Sequence, residues 1–167
     1  MTARRRLRAL VAGVAASLVA CGYSFAVGPG LATLAAGRRV TVGAFENQSA
    51  EADAGIVAAR AAGRALAARG LSGRGGLVLR GWVEGVSSAP SGVAGSQDVQ
   101  LWVAQVQLRL ELREGAGPDA KVLARAQVAE SEAYRPGNDI EATEAARELA
   151  LARLFERCLD DGLDRLK

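Results

Sequence analysis

The stretch WVAQVQLRLELR, residues 102–113, alternates large apolar side chains with mostly polar ones. The apolar set occupies every second position and consists of Trp102, Ala104, Val106, Leu108, Leu110 and Leu112. Successive side chains of a β-strand point to opposite faces of its sheet, so this pattern predicts a strand with one buried and one wet face. Burial on one face only is typical of antiparallel sheets.

Three weaker strand patterns and two helical patterns surround this stretch. The other strands are predicted at residues 39–45, at 77–86 and from Lys121 to about Tyr134. Gly115–Asp119 reads as the turn into the last strand, and Ser87–Ser96 reads as a turn-rich loop. The strand order, with a helix after the first strand and another at the end, predicts an α+β fold of order β-α-β-β-β-α.

Both predicted helices are amphipathic. The first follows Ser49 as its N-cap and ends near Arg69, with Gly70 as the C′ residue and an apolar stripe of Ile56, Ala59, Gly63 and Leu66. The second runs from about Asp139 to Leu166 and contains Cys158, which we expect to be a packed thiol. Two helices suffice to cover one face of a four-stranded, mostly antiparallel sheet, so the other face is expected to be partly open.

The open face is a candidate partner surface. Its predicted apolar members are Val99, Leu101 and Val103 on the long strand, with Trp82 on the strand before it. A bare face of mixed apolar and polar residues can bind another protein. The alternative is an ordinary half-wet sheet, and the pattern favours neither.

The N-terminus has the anatomy of an export signal. Four arginines (Arg4, Arg5, Arg6 and Arg8) precede an uncharged apolar run from Ala9 to Ala20. Twelve helical residues would span only about 18 Å of a hydrocarbon core about 30 Å thick, so the run is too short to cross a membrane. A buried core helix would leave the arginine cluster unexplained. We therefore predict that residues 1–20 are a signal peptide.

Leu18-Val19-Ala20-Cys21 resembles the lipobox of bacterial lipoproteins, in which the cysteine is acylated and becomes the first mature residue. This resemblance implies that Cys21 is a lipidation site and that residues 21–38 are a lipidated lead-in. Several acyl chains anchor a protein stably where one would not. Gly22, rather than Asp, follows the cysteine, which favours the outer membrane by analogy with enteric lipoproteins.

Composition excludes several kinds of function for the mature chain. All four charges before Cys21 are basic, so 17 basic and 18 acidic residues follow, and overall charge gives no support for nucleic-acid binding. The chain has no histidine and only two cysteines, which removes the usual zinc sites and Ser-His-Asp or Cys-His catalysis. No glycine-rich segment ends in the Lys-Ser/Thr of a phosphate loop. We therefore expect no enzyme activity, no metal and no cofactor.

Five short motifs, in order, resemble the lipopolysaccharide-assembly lipoprotein LptE family. They are CGYSF at 21–25, VTVGAFENQS at 40–49, LRGWV at 79–83, EAY at 132–134 and EAAR at 144–147. The resemblance implies two helices against a four-stranded sheet, and a single LptE-like domain over residues 39–167. It further implies an outer-membrane protein, lipid-anchored on the periplasmic side, that plugs the LptD β-barrel, helps it assemble and assists lipopolysaccharide delivery without catalysing a reaction.

The family also contacts the anionic lipid A region through basic residues near the loop end of the sheet. The loop Ser87–Gln97 contains no Lys or Arg, so the candidates for lipopolysaccharide contact are Arg113, Lys121 and Arg135. The alternative is that these three are solvated surface residues.

A second resemblance competes with the first. The segment VTVGAFENQS is also similar to the opening of curli-secretion-like and synthase-activator lipoproteins, which act through protein–protein contacts facing the periplasm. Those domains more often place helices between parallel strands, so a β-β-β meander over Leu77–Tyr134 favours the hypothesis of an LptE-like domain.

Overall fold

Four strands form a single sheet in the order β1-β2-β3-β4, in a computed structural model that describes residues 30–94 and 99–167. The strands are β1 (Val40–Asn47), β2 (Leu77–Ala94), β3 (Val99–Glu114) and β4 (Lys121–Tyr134). The helices are α1 (Gly30–Ala35), α2 (Ala54–Ala68) and α3 (Ile140–Asp164). β1 pairs parallel with β2, and the other pairings are antiparallel. The predicted α+β class and element order are confirmed, whereas the predicted signal peptide and Cys21 lie outside the described residues.

The apolar stripe of β3 forms the centre of the core. Ala104, Val106 and the three leucines 108, 110 and 112 are completely buried on the face covered by α2 and α3. The β4 partners of two of the leucines are small, with Leu112 opposite Ala124 and Leu110 opposite Ala126. α3 comes closest to the sheet at Gly162, where an added Cβ would lie 2.6 Å from Leu110 Cδ1. A larger residue at Gly162 would push the helix off the leucine stripe.

α2 packs on the sheet mainly through alanines, and Leu66 is the one residue of the predicted stripe that is buried. Its buried residues are Ala54, Gly55, Ala58, Ala61, Ala62, Ala65 and Leu66. The predicted inward position of Ile56 is wrong, because its side chain is 54% exposed. The helix approaches the sheet at Gly55, where a Cβ would be 2.7 Å from the Phe45 carbonyl oxygen. The N-cap is Asp53 rather than Ser49, and Gly70 has the positive φ of 67° expected after the helix end.

The predicted loop Ser87–Ser96 is wrong over most of its length. β2 continues to Ala94 and stays paired with β3, from Ser87 opposite Gln105 to Ala94 opposite Val99, with one register shift between Pro90 and Gly92. Serine, alanine and proline have low strand propensity, but the long partner strand supplies hydrogen-bond partners along the whole hairpin. Pro90 is tolerated because β1 ends opposite Val83 and leaves this part of β2 as an edge, and a bulge follows the proline.

The two long helices run in the same direction. Three contacts between them are in parallel order: Arg147 with Glu51, Arg64 with Glu156, and Arg69 with Asp160. Both begin beside the β2–β3 hairpin, which we call the hairpin end. They finish where β1, β2 and β4 begin, which we call the base. α1, from the predicted lead-in, packs at the base with Leu31 and Ala35 buried in the same core.

We expect Gly81→Ala to destabilise the domain by about 1–3 kcal/mol, because a Cβ at this position would overlap the Phe45 ring and force repacking. Denaturant unfolding measures the change. Gly85→Ala in the same strand is the matched control: its Cβ meets nothing closer than 3.8 Å, and we expect a change within about 0.5 kcal/mol. Equal losses for the two variants would contradict the packing described at Gly81.

The polar outer face as a candidate functional site

The sheet face opposite the helices, which we call the outer face, has Trp82 at its centre. The indole lies between two guanidinium groups, with Arg109 Cζ 4.2 Å and Arg80 Cζ 5.4 Å from the ring centroid. Its Nε1–H donates to Glu46 Oε2 at 2.9 Å, and the residue is only 8% exposed. Trp82 was predicted as bare apolar partner surface, but the two arginines cover it and bind it by cation–π attraction.

Charged side chains link all four strands across this face. Glu46 on β1 accepts from Arg80 at 2.6 Å, and Glu84 on β2 accepts from Arg109 on β3 at 2.9 Å and from Gln127 on β4 at 2.9 Å. Glu84 is the extra residue of a bulge between Val83 and Gly85, and a bulge can turn a side chain toward neighbouring strands. With Trp82, Glu111, Arg113 and Arg125, these residues form what we call the outer-face network.

Glu111 is the one buried charged residue among those the structure describes, with 3% of its surface exposed. Its carboxylate accepts from Arg113 Nε and Nη2 at 2.9 and 2.7 Å and from Arg125 Nε at 3.0 Å. Burial alone would raise the pKa of Glu111, but the hydrogen bonds and charges of Arg113 and Arg125 together lower it below its usual value. The carboxylate is therefore ionised at neutral pH and helps to hold β3 and β4 together. In the sequence, only the i, i+2 spacing of Arg109, Glu111 and Arg113 indicated that these three charges share one face.

The other predicted partner-face residues lie toward the hairpin end. Leu101 and Val103 are half-buried on the outer face, opposite Gly92 and Ala133. Val99 pairs with Ala94 through the backbone, and its side chain lies outside the described part of the chain. Val103 is six residues along β3 from Arg109, the partner of Trp82, which corresponds to about 20 Å. The structure therefore separates Trp82 from the apolar residues at the hairpin, with exposed glutamines between them.

The three predicted lipopolysaccharide-contact residues do not form one cluster. Arg113 is tied to Glu111, whereas Lys121 is exposed at the start of β4, opposite Glu114. Arg135 is exposed just beyond the opposite end of β4. A strand of this length separates Lys121 from Arg135 by roughly 40 Å, so one lipid headgroup cannot touch both.

A cleft that the sequence did not reveal lies beside the hairpin. It measures about 400 Å³, and its lining includes Val86, Trp102, Tyr134, Glu51 and Arg147. The Trp102 and Tyr134 rings are 6.4 Å apart, and the Tyr134 hydroxyl is 2.6 Å from Ser88 Oγ. The Trp102 Nε1–H is buried and has no hydrogen-bond partner among residues 30–94 and 99–167.

Two residue types that often carry chemistry, cysteine and clustered metal ligands, can be assessed in the described residues. Cys158 is a free, buried thiol, as predicted, and burial raises its pKa to about 12, so it is not a nucleophile at neutral pH. No group of three His, Cys, Asp or Glu side chains in these two ranges is placed to hold a metal ion. None of the helices described is both long and apolar enough to cross a bilayer.

Comparisons with known proteins find likeness in structure only. No protein-family model matches the chain, and no curated protein matches it in sequence. Solved structures with a similar shape include a minor lipoprotein from Acinetobacter baumannii, with a TM-score of 0.48 and 9% identity over 77% of this chain and 94% of that one. The rare lipoprotein B from Shewanella oneidensis has a TM-score of 0.42 and 12% identity over 70% and 87% of the chains.

The PelC dodecamer from Paraburkholderia phytofirmans is a further neighbour, with a TM-score of 0.40 and 19% identity over 76% of this chain and 89% of that one. Two of these three neighbours are bacterial lipoproteins by name. At this level of similarity, what the neighbours assemble with says nothing about this chain.

We expect Glu111→Gln to lower the free energy of unfolding at pH 7 by about 1–3 kcal/mol, because Arg113 and Arg125 lose a shared anionic acceptor. A carboxyl with a lowered folded-state pKa stabilises the fold above its unfolded pKa, and this stability is lost as pH falls through the folded pKa. The difference between the two proteins should therefore shrink toward pH 3, as measured by urea unfolding at both pH values. A difference that is the same at both would refute an ionic role for Glu111.

Proposed function

We propose that this protein is an outer-membrane lipoprotein, anchored through Cys21 on the periplasmic side, that plugs an LptD-type β-barrel. In this role it would help the barrel assemble and assist lipopolysaccharide delivery to the cell surface, without catalysing a reaction. The observation that carries the proposal is the outer-face network, which makes the helix-free face of the sheet polar and internally ion-paired.

A face of this kind suits a polar, water-containing lumen. The interior of a transmembrane barrel is polar, and a body inside it must tolerate water on every side. The outer-face carboxylates Glu46, Glu84 and Glu111 already have arginine partners within the domain, so they need none from a surrounding protein. Obligate protein interfaces are instead more apolar than the rest of a surface.

The side of the domain that the helices cover is also suited to a polar, water-containing lumen. Among the described residues, the exposed large hydrophobic side chains are Ile56, Ile140 and Leu149. Ion pairs such as Arg64 with Glu156 and Arg153 with Glu132 occupy the rest of this side. Scattered single hydrophobic residues on a polar surface are normal and do not make an apolar docking patch.

Size restricts the barrel that could hold the domain. Four strands at about 4.8 Å spacing with a helix layer about 10 Å above them give a cross-section of roughly 20–25 Å once side chains are included. Barrels of 16–18 strands leave only a channel, whereas 22-stranded barrels can hold a plug. The partner we propose is therefore a barrel of the largest class.

Site-specific photo-cross-linking in cells tests enclosure. The cross-linking residue is placed at Gln107 on the outer face, at Arg60 on α2 and at Glu148 on α3, all of which are exposed. A plug should cross-link from all three positions to one large outer-membrane β-barrel, because a lumen surrounds it. Cross-links from a single face, or to periplasmic synthases or further copies of this chain, would favour the curli-secretion-like or synthase-activator alternative and overturn the plug.

We expect Cys21→Ala to release the protein from membranes while leaving the domain folded, because the anchor is chemically separate from the core. Fractionation and circular dichroism measure the two effects. Cys158→Ala is the matched control: it removes the other cysteine, which is buried, and should leave the chain in the membrane fraction. A Cys21→Ala protein that still sediments with membranes after a salt wash would refute the lipid anchor.

A further inference from the structure

Most of the basic side chains without ion-pair partners lie at the base of the domain. Among the described residues, the Lys and Arg side chains that make no salt bridge are Arg39, Arg60, Arg74, Lys121, Arg135 and Lys167. Four of the six lie at the base, whereas Arg60 is on α2 and Arg135 is at the hairpin end. Asp119 is the one unpaired acid of the base within the described ranges.

Three of the four cations at the base, all but Lys167, form a row. Arg39 precedes β1, and its guanidinium donates to the Gly70 carbonyl of the loop that carries Arg74. The same loop joins β1 where the Gly73 N–H donates to the Val40 carbonyl, which holds Arg74 beside Arg39. Lys121 begins β4, three strand spacings or about 14 Å away. The exposed side chains of Arg39, Arg74 and Lys121, which we call the basic row, therefore cross the whole width of the sheet.

Helix dipoles explain the acids of the hairpin end but not the basic row. Asp53 and Asp139 are the N-caps of α2 and α3, and Glu141 lies in the first turn of α3, where negative charge is stabilising. The last turns of α2 and α3 contain no basic residue, and the dipole effect fades within that turn. The basic row lies on loops and a strand start, so it needs another explanation.

We propose that the basic row binds the anionic headgroup layer of a membrane and orients the domain with its base on the lipid and its hairpin pointing away. α1 brings the chain to the base, where Gly30 packs near the Asp164 carbonyl oxygen. Cys21 is nine residues before Gly30 and can lie at most about 30 Å from it. This orientation rests on the lipid anchor of the proposed function, and it concerns the anchored domain outside a barrel, with the hairpin directed away from the headgroups.

The strength of such a contact suits orientation rather than anchoring. Each Lys or Arg close to an anionic surface strengthens binding about fivefold, so the three residues together contribute roughly 100-fold. That effect is too weak to hold a protein alone, but it adds to a lipid anchor as a second signal. It is also screened by salt, because the Debye length is only about 8 Å at physiological ionic strength.

Fluorescence quenching in vesicles tests the orientation. The full chain is made in a bacterial envelope, purified in detergent and reconstituted into phosphatidylcholine vesicles with or without about one-third phosphatidylglycerol. A fluorophore is attached at Ala116→Cys in the β3–β4 turn of the base, or at Ser91→Cys in the hairpin; both positions are exposed. Cys158 is buried and stays unlabelled. In anionic vesicles we expect headgroup-bound quencher to act several-fold more strongly on the base label than on the hairpin label.

The charge variants identify the residues responsible. Replacing Arg39, Arg74 and Lys121 together by Gln should bring the quenching ratio close to one, as should vesicles without phosphatidylglycerol. The matched control replaces Arg60 and Arg135, the unpaired arginines away from the base, by Gln. It should leave the quenching ratio of the two labels unchanged. Equal quenching at both labels, or a ratio independent of lipid charge, would overturn the proposal.

Mass spectrometry of the same preparation separates this proposal from the proposed function. If the chain has no acyl groups, the anchor is wrong, and flotation of that unlipidated chain then measures the basic row alone. Binding to anionic vesicles that falls about 100-fold in the triple Gln variant and weakens with salt would support the basic row. Flotation that is the same for the triple Gln variant and at high salt would reject the basic row.

Discussion

The leucine stripe of β3 is the constraint on which the remaining structure depends. Leu108, Leu110 and Leu112 lose all contact with water between the sheet and α3, and complete burial of each is worth about 1.5–3 kcal/mol. β3 pairs with both β2 and β4, so its register decides which side chains of its neighbours point inward. A slip of one residue would place Arg109 and Glu111 in the core. α3 can approach this stripe only because Gly162 has no side chain.

The outer face follows from the same alternation. Once the leucines occupy the inner face, Arg109, Glu111 and Arg113 must share the outer one. Two further carboxylates, Glu46 and Glu84, and arginines from other strands complete the network. Glu111 is buried there without being isolated, because Arg113 and Arg125 supply the donors that a buried carboxylate requires. The resulting face needs no apolar partner to cover it, which is why we propose a polar lumen rather than an obligate dimer interface as its surroundings.

The two ends of the domain differ in the prevailing sign of their unpaired charges. The hairpin extends past β1, and with the helix N-termini it forms an acidic end containing a cleft next to Trp102. The base collects the unpaired cations beside α1. A domain that is polar on both faces and carries unpaired cations at one end can be oriented by an anionic membrane surface, as we propose for the basic row.

The amino-acid sequence by itself determined the α+β class, the element order and the one-sided burial of β3, because alternation and helical periodicity are local properties of the chain. It also indicated the Gly70 helix end and the buried Cys158. The tertiary structure alone decided that Ser87–Ala94 is a strand, because only the pairing with β3 compensates its poor local propensity. Likewise, α2 turns Gly55 and its alanines toward the sheet, which leaves Ile56 exposed on the other side of the helix. Three features are built from residues that are far apart in sequence, so no local pattern could reveal them. They are the arginines that cover Trp82, the cleft beside the hairpin and the basic row.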